Sequence, residues 1–123
     1  LWMTATRFPA FAKMGLDMSN TPPGARYADV EQNMPPKVNW VSHNYTHLME
    51  QPTIFYAVIA VLAIAGDASA VSLGAAWAYT GLRIVHSLWQ GLVNIVLVRV
   101  AIFTLSTLCL WVLAVNAVRL TVL

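Results

Sequence analysis

Hydrophobic and polar positions divide this chain into long apolar stretches joined by short polar breaks, with one extended polar stretch near the start. From Val38 the pattern is amphipathic for about half a helix, and from Thr53 to Ala65 it is almost wholly apolar. This predicts one long helix over residues 38–65, bent by Pro52 just after the polar half. Gly66-Asp67-Ala68-Ser69 reads as a tight turn, with Ser69 placed to cap a second helix over 68–92. Small residues at Ser72, Ala75, Ala76 and Ala78 suit close helix packing. An unbroken helix from Ala68 to Leu123 would far exceed a bilayer, so a reversal is expected near Gly91 to Asn94. The final helix then covers 95–119. Upstream, residues 1–7 read as the end of a helix stopped by Arg7 and Pro9. Residues 8–37 read as a loop, marked by Pro22-Pro23-Gly24 and Pro35-Pro36. The chain opens Leu-Trp-Met-Thr without an initiator Met, and the expectation is that most of a first spanning helix is missing. The predicted fold is all-α, an integral membrane up-and-down four-helix bundle in a single domain.

Composition supports a lipid environment. Hydrophobic residues make up 59% of the 123 and charged residues 10%, against roughly a quarter charged in soluble domains. The single cysteine, Cys109, excludes an internal disulfide and lies in an apolar run. A net charge of +2 with no basic block argues against nucleic acid as a partner. Lys13, Arg26 and Lys37 lie on the side where Arg7 ends the first helix, whereas the Gly66-Asp67 turn carries no Lys or Arg. That bias puts the long polar loop in the cytoplasm.

Ionisable residues inside the apolar stretches carry the candidate chemistry. Glu50 lies sixteen residues before Gly66 and Arg83 seventeen after it, each about 25 Å along a helix. Antiparallel helices would therefore bring both to one depth, where ionisable groups are costly and face a partner or a wet cavity. His43, His47 and Glu50 fall at i, i+4 and i+7 on one face. Arg83, His86 and Gln90 fall at i, i+3 and i+7 on another, with Asn94 following if the helix persists. Arg99 returns to the same leaflet after the second reversal, and Arg7 lies there too. Glu50 and Arg83 as a structural ion pair fixing helix register explains the pattern about as well as a ligand site does. The surplus of Arg and His over one carboxylate suits a small anionic ligand. Arg119 reads as an interfacial residue reaching the headgroups. His43, His47, Glu50 and His86 would be chemically adequate for zinc or iron, but the spacing matches no metal motif and Arg83 would oppose a cation, so no metal is expected.

The segment His43-Asn44-Tyr45-Thr46-His47-Leu48-Met49-Glu50, and the stretch from Ala76-Trp77-Ala78-Tyr79 through Leu82-Arg83-Ile84-Val85-His86-Ser87 to Arg99, resemble the MAPEG family, the membrane-associated proteins of eicosanoid and glutathione metabolism. The likeness covers roughly residues 40–103 and is nearest to the bacterial branch without an assigned substrate. It implies a four-helix subunit of a homotrimer in the bacterial inner membrane, with glutathione bound between subunits near the cytoplasmic leaflet. In that likeness Glu50, Arg83 and His86 help hold the tripeptide. Arg99 is the residue that stabilises its thiolate and so the catalytic candidate. His47, His43 and Gln90 complete the candidate binding set. The chain departs from characterised members by carrying His43 where they have Arg, seven residues before the Glu, and His47 where they have Asn. His at 43 weakens a permanent charge and makes it pH-dependent.

Three readings follow. The first is a glutathione transferase or peroxidase acting on a lipophilic electrophile from the bilayer. The second is a non-catalytic scaffold or accessory subunit of a larger membrane complex. The third, a metal-dependent enzyme on the His and Glu residues, is the weakest.

Overall fold

The computed structural model describes residues 1–14, 31–32 and 34–122. Among them are four helices and no strand: α1 (Trp2–Met14), α2 (Pro36–Ile64), α3 (Ala70–Leu92) and α4 (Val96–Val122). The four form an up-and-down helical bundle. α3 packs most extensively on α4, α2 lies across both, and α1 packs against α2.

Local chemistry explains the reversals. α2 ends at a glycine in the left-handed region, Gly66 at φ 72°. The Asp67 N–H bonds the Leu62 carbonyl at 3.0 Å and the Gly66 N–H bonds Ala63 at 3.1 Å. This is the Schellman pattern, which satisfies helix-end carbonyls at a position that L side chains resist. Ser69 then caps α3 by accepting the Ser72 N–H at 3.3 Å. The helix starts two residues later than the pattern of apolar positions implied, because Asp67 takes the Ser69 N–H at 2.9 Å and holds Ala68 in the turn. At the other end, Asn94 at φ 54° turns the chain, its N–H bonding the Trp89 carbonyl at 2.8 Å. Asn tolerates this conformation better than most non-glycine residues.

One expected interruption is absent. α1 continues through Pro9 to Met14 rather than ending at Arg7. Pro9 removes one backbone donor, but Ala10 beyond it is buried and Arg7 reaches the Met34 sulfur, so docking outweighs the lost bond. Residues 8–14 are therefore helix, and the remaining loop expected over 15–30 lies outside the described residues. α2 runs as the single helix expected through the buried Pro52, where the Thr53 hydroxyl donates to the Glu50 carbonyl at 2.6 Å.

α2 and α4 are each long and apolar enough to cross a bilayer. The apolar core lies toward the Gly66 end, where Leu62, Leu113 and Ala117 meet Phe55, Ala75 and Ala76. The small residues Ser72, Ala75 and Ala76 sit at this contact as expected, but Ala78 faces outward. Bulky apolar side chains line the outside, among them Ile64, Trp77, Ile84, Leu97 and Trp111. An apolar exterior of that extent is the surface lipid requires.

Candidate functional site

α3 is inside out relative to a helix of a soluble protein. Its buried residues are Ser72, Tyr79, Arg83, His86 and Gln90, spaced 7, 4, 3 and 4 along one face. Val71, Leu73, Ile84, Val85 and Leu88 point away from the bundle. In lipid this is the stable orientation, since polar groups must turn to one another rather than to hydrocarbon.

Arg83 is the centre. It is only 5% exposed, and its Nη2 donates to the main-chain carbonyl of His47 at 2.7 Å. Its guanidinium lies 5.8 Å from the Phe103 ring centroid, on α4. The His47 and His86 rings meet edge to face with centroids 6.3 Å apart, and Phe103 lies 6.3 Å from the first and 5.9 Å from the second. Arg83, His47 and Arg99 are the charged or titratable groups near enough for their charge to act on His86. Helices α2, α3 and α4 thus each contribute to one level. Measured from the start of α3, Arg83 lies about 20 Å along the helix.

Several buried polar atoms at this level have no protein hydrogen-bond partner: Nε and Nη1 of Arg83, Nδ1 of His47, and both amide atoms of the fully buried Gln90. Deeper along α3, the Tyr79 hydroxyl is also unpartnered, with its ring stacked on Phe55 at 4.3 Å. Native interiors leave few such groups, because each costs about 1–3 kcal/mol when nothing satisfies it. Their concentration here marks a buried polar level within the bundle.

Of the residues predicted for a site, Arg83, His47 and His86 come together around Phe103, and Arg99 lies near enough for its charge to act on His86. Arg99 is oriented by Asn94, whose Oδ1 accepts from Nη1 at 2.9 Å. Asn94 therefore ends the helix and does not extend the Arg83 face. Glu50 occupies the same half of the bundle but forms no ion pair with Arg83. Its side chain is 61% exposed, and Oε2 lies 3.4 Å from His47 Nδ1, without hydrogen-bond alignment. The Glu50–Arg83 register pair, one of the two readings of the pattern, does not form: Arg83 takes the His47 carbonyl instead, and Glu50 projects to the outside of α2. His43 is also drawn away, its Nε2 2.8 Å from Glu31 Oε1. That splits the set His43, His47, Glu50 and His86, and among the described residues no three His, Cys, Asp or Glu side chains gather as metal ligands.

Sequence reasoning did not select Tyr79, Phe103 or Asn44. Asn44 is buried and donates to Ser87 Oγ at 2.7 Å, tying α2 to α3 one turn from Arg83. Extending the α3 periodicity back from Arg83 by four residues finds Tyr79. No local signal singles out Phe103, whose role arises from α4 packing.

An apolar-sheathed bundle with a buried polar level defines an integral membrane protein of the helical-bundle class. The chain belongs to the MAPEG family, whose model matches residues 1–119. No curated protein and no solved structure matches it.

Proposed function

We propose that this MAPEG subunit is a glutathione-dependent transferase or peroxidase acting on a lipophilic electrophile that arrives through the bilayer. The observation that carries the reading is Arg83, a buried guanidinium with two nitrogens that no protein atom satisfies. A planar fork of donors suits a carboxylate, and glutathione brings two carboxylates, an amine and amide carbonyls. The donor set therefore fits the tripeptide. When bound, glutathione supplies a thiol as nucleophile.

The chain's own residues divide the remaining work. Arg83, with Gln90 and His86 along the same face, binds and orients the polar ligand. Arg99, aimed by Asn94, holds positive charge where a thiolate must be stabilised; in a poorly solvated site this favours the ionised sulfur. Phe103 walls the level and limits water. Glu50 is exposed on a membrane helix, and a carboxylate there needs a polar neighbour or water rather than lipid. That supports a homo-oligomer, by family likeness a homotrimer, in which the Glu50 face of α2 meets another subunit.

The test is thiolate absorbance on adding glutathione to the purified protein in detergent. A thiolate band in the wild type that is largely lost in Arg99→Ala supports the reading; no band in the wild type ends it. A second reading, a scaffold or accessory subunit with a structural polar network, is favoured by one observation. His43 is engaged by Glu31 and not by the Arg83 group. Copurification in fixed stoichiometry with a larger membrane complex, without glutathione binding, is its signature.

A further inference from the structure

The two reversals of this bundle use different residues for the same left-handed backbone. Gly66 carries the first at φ 72°, and Asn94 carries the second at φ 54°. Glycine enters this region freely, whereas a side chain is strained there. Glycine would serve the turn alone better, so the amide at position 94 has a second use.

Its contacts show what that use is. The Asn94 N–H closes the end of α3 on the Trp89 carbonyl at 2.8 Å. Its side-chain Oδ1 accepts from Arg99 Nη1 at 2.9 Å. Arginine has donors only, so the amide must turn its oxygen to it. Arg99 lies half-buried in the first turn of α4 and makes no other side-chain hydrogen bond among the described residues. At the end of a membrane helix, a long cationic side chain without an anchor swings its head toward headgroups and water.

We infer that Asn94 is a positioning residue that sets how much thiolate Arg99 can stabilise, holding the guanidinium with its side chain while its backbone makes the α3–α4 turn. The inference rests on the glutathione reading above. Ionisation breaks the S–H bond, leaves the electron pair on sulfur and gives the proton to solvent; Asn94 touches none of these atoms and acts through Arg99. Charge attraction falls with distance. A guanidinium that retreats from about 4 Å to about 7 Å from the sulfur, at an effective dielectric of about 20, raises the thiol pKa by about one unit. The neutral amide also suits the task, because it anchors the cation without cancelling its charge, as an aspartate in the same turn would.

The experiment compares wild type, Asn94→Gly, Arg99→Gln and the double variant of the full chain in detergent. Asn94→Gly keeps a residue at home in the left-handed turn and should fold as wild type does. In the ligand-free protein, modification of Arg99 by phenylglyoxal, followed by mass spectrometry, should be several-fold faster in Asn94→Gly. The apparent pKa of bound glutathione, read from thiolate absorbance against pH, should rise by about one unit in that variant, a roughly tenfold loss of thiolate below the midpoint. S-methylglutathione, which has no thiol to ionise, should bind both proteins equally. In the Arg99→Gln background, Asn94→Gly should move the pKa no further.

An unchanged modification rate means that Asn94 does not hold Arg99, and it overturns the inference whatever glutathione does. An unchanged pKa in Asn94→Gly, or a shift that persists without Arg99, overturns it and leaves the glutathione reading intact. Weakened binding of S-methylglutathione to Asn94→Gly also overturns it, since that marks a role in folding or binding. No thiolate in the wild type ends the glutathione reading and takes the inference with it.

Discussion

Replacing Arg83 with Met separates a residue kept for a ligand from one kept for the fold. The wild-type guanidinium makes one hydrogen bond, to the His47 carbonyl at 2.7 Å, and leaves Nε and Nη1 without protein partners. Losing a hydrogen bond to a charged group costs about 1.5–3 kcal/mol, whereas removing two unsatisfied buried donors recovers about 1–3 kcal/mol each. Met fills much of the same volume, so little packing is lost. The balance predicts a ligand-free variant between about 1 kcal/mol less stable and about 4 kcal/mol more stable than wild type. Glutathione at a hundred times its Kd should stabilise the wild type by about 2.7 kcal/mol and the variant by almost nothing. SDS-titration unfolding in mixed micelles, with and without glutathione, measures both. A ligand-free loss of about 3 kcal/mol or more, the range found on breaking a buried ion pair, would refute the reasoning. It would mean that Arg83 has structural partners the unpaired nitrogens do not suggest.

Other expectations follow from particular contacts. At Gly66, φ is 72° and a Cβ would meet nothing within 4 Å, so Gly66→Ala should cost about 1–2 kcal/mol of backbone strain alone. Gly66→Asn should cost less, and equal costs would count against the left-handed turn. A Cβ at Gly91 would overlap the Trp2 indole, so Gly91→Ala should destabilise by about 1–3 kcal/mol in the wild type. In a Trp2→Ala background the same change should stabilise by up to about 1 kcal/mol, as alanine does in a helix. A double-mutant cycle reads the change of sign. The Asp67 carboxyl is held below its ordinary value of 3.8 by the hydroxyl of Ser72, then by the Ser69 backbone and hydroxyl. A depressed carboxylate stabilises above its unfolded pKa and loses that contribution as pH falls through the folded one. The stability gap between wild type and Asp67→Asn should therefore be constant above about pH 5 and close below about pH 4.

The order of the helices and the turn between α2 and α3 were determined locally, and for that reason the residues alone disclosed them. Apolar runs long enough for a bilayer, a glycine where the chain must go left-handed, and a serine at the following cap are all short-range matters. So is the clustering of Arg83, His86 and Gln90, since a period of 3.6 puts them on one face whatever surrounds the helix. Which face meets which was decided only by the tertiary structure. Helix rotation and depth depend on side chains packing across helices, and spacing from Gly66 sets level but not rotation. That is why Glu50 shares the half of the bundle with Arg83 yet points outward, leaving a main-chain carbonyl as partner. It is also why His43 turns to Glu31, why Phe103 from a distant helix walls the site, and why α1 survives Pro9 once Ala10 is buried.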